Sequence, residues 1–415
     1  MLLPLLILSP FFSVSSCAPA EEPAMEVNPI LAEWETPFAV PPYDEIREEH
    51  YLPAFRQAMA EEIAEIDAIV DNPEPPTFAN TIEALERAGK QLTRVSNTFF
   101  PVRSANSNEQ IRAIAAEIAP ELAAHRDDIL LNADLYARVQ AVWEQCDSLD
   151  LTPEQYKLAE ETNKAFVRAG IGLAGEAQAR LREINGELAQ ISQRFSQNLL
   201  AETNDFELHV TEEDDLGELP ASLKATAAAL AVERGYDGGW LFTLQRPSLN
   251  PFLQYSPDRE LRRRGFEGYL MRGDRDNEHD NKGLAARAAA LRAERAELMG
   301  YETHAAYVLD DNMAETPERV YEFLDEIWAP ALEVAKEERA AFREMMNAEG
   351  TEGDLMGWDW RYYEEKVRRA RYALDETALR PYFEVNAVRD GAFLVANKLY
   401  GLTFERLDDM PTWHP

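Results

Sequence analysis

A chain of 415 residues, 46% hydrophobic and 28% charged, is too apolar to stay disordered and too long for one small core, so two domains or one elongated helical body are expected. Lys and Arg number 41 against 76 Asp and Glu, a net charge of −35 that repels phosphate backbones and anionic lipid and argues against nucleic acid as a partner. The two cysteines, Cys17 and Cys146, stand too far apart to make a disulfide framework.

Taken in chain order, residues 1–16, MLLPLLILSPFFSVSS, are apolar and uncharged, with the length of a signal-peptide core rather than of a membrane span. They lead into Val14-Ser15-Ser16-Cys17, small residues ahead of a cysteine as in a bacterial lipobox, although no basic residue precedes the apolar run. This pattern predicts a signal peptide over 1–16, a lipidated Cys17 and a flexible tether over 17–27. The expected location is a bacterial cell envelope, lipid-anchored and facing the periplasm or exterior, with the lipid as the only membrane contact. Cys146 reads as a small buried hydrophobe.

From about residue 45 the period is helical. Leu52, Phe55, Met59, Ile63, Ile66 and Val70 make one stripe. DNPEPPTFANT breaks the chain, Asn80 with Glu83 offers a capping box, and Ile82, Leu85, Leu92, Val95 and Phe99 predict the next helix. A third stripe, Ile111 to Ile129, contains Pro120, where a bend is expected. Thr152-Pro153 starts a fourth helix, and Leu181, Ile184, Leu188, Ile191, Phe195 and Leu199 mark a long fifth. Residues 206–256 differ: Phe206 to Val210 alternates with period two, and GGWLFTLQ has the content of a second short strand. Helices then resume, among them one starting at Thr316-Pro317-Glu318 with Val320, Phe323, Leu324 and Ile327 facing inward. The fold class is mostly α with a small β interruption, and the boundary between two helical domains, 28–235 and 236–415, is placed near it.

Little chemistry is legible as motif. None of His50, His125, His209, His279, His304 and His414 begins a His-Glu-x-x-His, and no inverted zinc motif, Gly-x-Ser-x-Gly, Cys-x-x-Cys or phosphate loop occurs. His125 falls on an apolar stripe and reads as a hydrogen-bonded core residue. GDRDNEHDNKG, residues 273–283, has the acids of a calcium loop but His279 where a turn glycine is needed, and reads as a solvated linker. Arg262, Arg263 and Arg264 read as a salt-bridged surface. No catalytic or metal-ligating residue is assigned.

Longer strings say more. ETPFAVPPYDEIREEHYLPAF, NTIEALERAGKQLTRVSNTFF, DDILLNADLYARVQAVW, WDWRYYEEKVRRARYALDETALRPYFEVNAV and the closing PTWHP resemble, in order, the peptidyl-dipeptidase branch of the thimet oligopeptidase family of zinc metallopeptidases. The resemblance runs from about Asn28 to Pro415. It implies a helical two-domain channel and a zinc enzyme that hydrolyses short or unfolded peptides, releasing C-terminal dipeptides, and acts as a monomer. It also implies that the zinc ligands, two histidines of His-Glu-x-x-His and a later Glu, follow the segment matched here, so that FERLDDMPTWHP is expected to be a cut made before the metal site and the 415-residue chain to be inactive. An endopeptidase like oligopeptidase A and a non-catalytic, envelope-anchored peptide-binding module are the alternatives.

Overall fold

The computed structural model describes residues 28–173, 175–373 and 379–414. The expected signal peptide, Cys17 with its tether, and the final Pro415 lie outside the described residues.

The first helix, α1 (Glu48–Val70), starts where His50 Nδ1 accepts the Arg47 N–H at 2.9 Å. Its buried face is Tyr51, Ala54, Phe55, Ala58, Met59, Ile66 and Ile69, while Leu52 and Ile63 of the expected stripe lie half-buried at its rim. The two alanines, which a stripe of large residues overlooks, leave room for a neighbouring helix to approach.

The stripe from Ile82 to Phe99 predicts one helix, but the chain makes three pieces. A π-helical turn, Phe78–Glu83, is capped by Thr77 rather than Asn80: the Thr77 hydroxyl accepts the Asn80 N–H at 3.1 Å and Asn80 Oδ1 accepts the Thr77 N–H at 2.8 Å. Then come α2 (Ala84–Arg87) and α3 (Lys90–Ala105), separated at Gly89. Gly89 sits at φ +70°, its N–H donates to Glu65 Oε2 at 2.8 Å, and a Cβ there would run into the Glu62 carboxylate. Left-handed backbone and close approach both select glycine at this break.

The next helices follow their cap signals more closely. Asn108 caps α4 (Glu109–Leu130), which runs through Pro120 without interruption. Asn132 caps α5 (Ala133–Trp143), and Thr152 with Gln155 forms the capping box of α6 (Pro153–Ala169). The long α7 (Glu176–Asp205) follows. Two cores result. Phe55, Val95, Phe99, Ile111 and Ile118 close one between α1, α3 and α4, with Phe99 edge-on to Tyr51 and Phe55 at 5.0 and 5.4 Å. Ile66, Ile82, Leu135, Val139 and Phe166 close the other, and Cys146 is buried in it as a free thiol whose pKa burial raises.

The β interruption is a hairpin. Strands β1 (Leu208–Val210) and β2 (Trp240–Phe242) pair antiparallel, Leu208 opposite Phe242 and Val210 opposite Trp240, with α8 (Ala221–Glu233) between them in sequence. Leu208, Val210, Leu216, Ala227, Phe242 and Phe252 share one core that spans position 236 from both sides.

Beyond it lie α9 (Arg246–Tyr255), α10 (Arg259–Leu270), α11 (Lys282–Leu298), α12 (His304–Leu309), α13 (Pro317–Ala348), α14 (Trp360–Tyr372) and α15 (Val385–Tyr400). Mostly α is therefore the observed class. No helix among the described residues is long and apolar enough to cross a membrane.

Two surface readings change with packing. In the loop 273–283 the Lys282 ammonium lies 2.6, 2.9 and 2.8 Å from Asp274, Asp276 and Asp280, where a calcium loop would hold its ion. Its inner end is also tied down, because buried Glu202 accepts the Gly273 N–H at 2.6 Å and the Asn277 amide at 2.6 Å. Arg262 is not a surface residue. It is 1% exposed and paired with Asp359, a partner 97 positions away that no helical spacing reveals. Arg263 shows the expected surface pairs, with Glu260 and Glu267.

Candidate functional site

Two buried carboxylates, Asp359 and Glu365, organise the second half. Asp359, fully buried at the start of α14, accepts Arg259 Nη2 at 2.7 Å, Arg262 Nη2 at 2.9 Å and the Met356 N–H at 3.0 Å. Burial alone would raise its pKa, but the hydrogen bonds from Arg259, Met356 and Arg262 together outweigh burial and hold it below the ordinary carboxylate range. Arg262 gives its remaining donors to the Ser256, Pro257 and Trp358 carbonyls and stacks its guanidinium 4.1 Å over Tyr362. This clasp fixes α10 against α14.

One turn further along α14, a groove of about 390 Å³ opens between Gln254 and Tyr255 on one side and Tyr362, Lys366 and Arg369 on the other. Its floor is Glu365, 4% exposed, which accepts Gln254 Nε2 at 3.0 Å, Arg368 Nε at 2.7 Å and Arg369 Nε at 2.6 Å. Lys366 sits 4.4 Å over the Tyr362 ring and bonds Glu349; burial opposes its charge, yet the bonds to Glu349 and Tyr362 leave its pKa raised. Of the two carboxylates that line the groove, Glu365 is saturated with donors and the exposed Glu218 pairs with Arg369, while the lysine stays cationic. Such a surface can hold a polar chain by hydrogen bonds and aromatic faces.

The adjoining faces are apolar and open. Only Phe342 and Met346 of α13 are buried, against Tyr362 and Tyr363 of α14. Val320, Phe323, Leu324 and Ile327 were expected to face inward, but Phe323 is 61% exposed and Trp328, next on the stripe, 64%. On α15, Val385, Leu394, Val395 and Leu399 are exposed as well, and Phe393 stacks on Phe404 of the following segment at 4.0 Å. The stripe was read correctly as apolar; among the described residues nothing covers it.

The histidines are dispersed and mostly engaged. His125, 8% exposed, binds Glu62 Oε2 at 2.7 Å across α1 and α4, as its place on the stripe predicts. His50 caps α1, His209 bonds the Gly238 carbonyl at 2.7 Å and stacks on Tyr236, His279 stands 4.0 Å from Asp205, and His414 lies edge-on to Trp413. Among the described residues no three His, Cys, Asp or Glu side chains come together to hold a metal. A donor set for a zinc ion is therefore not found among the described residues. Asp359 and Glu365 lay inside the block WDWRYYEEKVRRARYALDE, but their partners Arg259, Arg262 and Gln254 are distant in sequence, so only the folded chain joins them.

Comparison with known proteins places these features. Residues 252–415, from the end of α9 through the clasp, the groove and the open faces, match the model of peptidase family M3. Nearly the whole chain is similar to the dipeptidyl carboxypeptidase of Escherichia coli, 37% identical over 390 residues, 94% of this chain and 57% of that protein. It is also similar to oligopeptidase A of Salmonella typhimurium, 30% identical over 392 residues, 94% of this chain and 57% of that protein. A third relative, the probable cytosolic oligopeptidase A of Arabidopsis thaliana, is 28% identical over 406 residues, 95% of this chain and 57% of that protein. The chain spans a little over half the length of the curated relatives it matches. The resemblance to a metallopeptidase family is borne out by these matches. The envelope location is corrected by them: kinship runs to oligopeptidases that include one named for the cytosol. The envelope reading rested on the apolar run and Cys17 alone, a loose pattern that lies outside the described residues.

Proposed function

We propose that this chain is the N-terminal part of a peptidase that hydrolyses short or unfolded peptides and releases dipeptides from free C-termini. Similarity to a dipeptidyl carboxypeptidase over 94% of the chain at 37% identity is the observation that carries the reading. Within it, the layers of α1 to α7 form one wall of a channel, and the groove between α9 and α14 belongs to the surface along which a peptide lies. The open faces of α13 and α15 are where the rest of the enzyme would close on this part. Zinc enters as the cofactor of the family, with ligands outside the described residues, past Pro415 in this reading. The complete enzyme is read as a monomer, since the apolar faces are then consumed within one molecule.

The test is release of dipeptide from a peptide with a free C-terminus, assayed on the 415-residue chain and on a fusion that continues it with the remaining part of the E. coli relative. The reading expects no release by the chain alone, with or without zinc, and zinc-dependent release by the fusion that disappears when the substrate is C-terminally amidated. Release by the chain alone would overturn the inactivity. Cleavage of the amidated peptide at internal bonds would instead make the enzyme an endopeptidase of the oligopeptidase A kind, the class of a relative 30% identical to this chain.

A further inference from the structure

A second cleft, of about 470 Å³, lies apart from the groove, between α4, α6, α7, α11 and α12. Its charge is unlike that of the molecule around it. In a chain of net charge −35, Arg126, Lys164, Arg168 and Arg295 line it against Asp127, Glu161 and Asp311. Two of these cations are already spoken for, Lys164 by Asp311 and Arg168 by Asp310 at 3.0 Å. The other two are not. Arg126 is exposed and makes no ion pair among the described residues. Among the described residues the only hydrogen bond of Arg295 is a long one, 3.4 Å from Nη1 to Asn185 Oδ1, and its Nε is buried with no partner there.

The surroundings explain why Arg295 makes no ion pair among the described residues. Asn185 is turned so that its amide donates to the buried Asp127 carboxylate at 3.0 and 3.2 Å, which leaves only its oxygen for Arg295. Tyr307, whose ring lies 5.5 Å from the guanidinium, donates its hydroxyl to the Arg168 carbonyl. Burial lowers the Arg295 pKa and the charges of Arg292 and Arg126 lower it further, while Tyr307 and Asp127 oppose the shift without cancelling it. A guanidinium with one long hydrogen bond and a buried, unpartnered Nε is costly, and the cost falls if an anion completes the fork. Nearby His304 Nδ1 is likewise buried and unpartnered, with its pKa lowered by burial and by Arg295 and Arg292.

From this geometry we propose that the cleft binds a compact oxyanion, a phosphate or a carboxylate, held bidentately by Arg295 with Arg126 closing over it. The site stands independently of the peptidase reading, because none of its residues belongs to the groove or to the open faces. Planar forks match both oxyanions, so the experiment separates them.

Intrinsic fluorescence and thermal melting of the 415-residue chain are followed while inorganic phosphate or acetate replaces chloride at constant ionic strength. A saturable response to phosphate, acetate or both supports the site and says which oxyanion it prefers. Arg295→Met should weaken that binding at least ~10-fold, whereas Arg287→Met, which removes only the surface pair with Glu187, should leave it unchanged. If Arg295→Met does not fold, Arg126→Gln reads the same loss. No saturable response to either anion, or equal binding by the chain and the cleft variants, overturns the proposal.

Discussion

The layer made by α1, α3 and α4 and the pair α13 and α15 have similar apolar stripes and opposite fates. In the first, Phe55 and Phe99 meet edge to face and are fully buried. In the second, Phe323 and Trp328 stand in solvent. Composition does not separate the two regions; the presence of a covering helix does. Burying a large side chain contributes about 1.5–3 kcal/mol, so the first layer holds its own stability while the second has that free energy still to gain. A self-sufficient wall beside an unfinished one is what the proposed partial peptidase requires.

The largest effect belongs to the closed layer. Phe99→Ala removes a ring in contact with both Tyr51 and Phe55 and should cost ~3–5 kcal/mol, read as a lowered midpoint in urea unfolding. A loss near zero would mean that this layer is as loosely held as α13 and would erase the contrast.

Next comes the clasp that joins the hairpin region to α14. Asp359→Ala strands Arg262 without its counter-charge and should cost about 3 kcal/mol. The pH dependence follows from the lowered pKa of Asp359. A carboxyl held below its unfolded value contributes stability that is present above the unfolded pKa and is lost as pH falls through the folded one. The parent chain should therefore lose stability toward acid more steeply than Asp359→Ala, whose unfolding free energy should flatten in that window. Parallel acid limbs would mean the clasp is not what Asp359 provides.

Gly89→Ala probes the break between α2 and α3. At φ +70° alanine is strained, and its Cβ meets the Glu62 carboxylate that His125 binds, so a cost of about 1–2 kcal/mol is expected. Pairing it with Glu62→Ala, which clears the space but not the backbone strain, should recover part of the loss; full recovery would assign the whole effect to the clash.

Much of this was legible in advance, and the gaps have physical causes. Helical stripes, the Thr152 cap and the two short strands depend on neighbours within a few residues, and the chain obeys them. The Asn80 cap was misplaced because Thr77 offers the same box one turn earlier, in a π-helical turn that no 3.6 period describes. The helix drawn through Gly89 ignored the left-handed glycine. Arg262 was set on the surface because its partner lies 97 residues away. The oxyanion cleft is drawn from five helices, each of which looks like an ordinary charged face by itself. The histidines were visible and led nowhere, since their partners are Glu62, Asp205 and backbone atoms rather than one another.

The smallest effect on stability is also the sharpest test of the comparison. Trp328→Ser replaces a side chain that is 64% exposed and should change the unfolding free energy by no more than ~0.5 kcal/mol. Its consequence should appear in association instead. The exposed apolar side chains of α13 and α15 favour self-association of the 415-residue chain at micromolar concentrations, and Phe323→Ser with Trp328→Ser should shift the sedimentation profile toward monomer. In the fusion that continues past Pro415 the same two substitutions should behave like core mutations and cost ~2 kcal/mol or more each, because there the face has something to bury against. If both substitutions are silent in the fusion, α13 is a solvent-facing helix in the complete enzyme, and the open face must be assigned to a different partner.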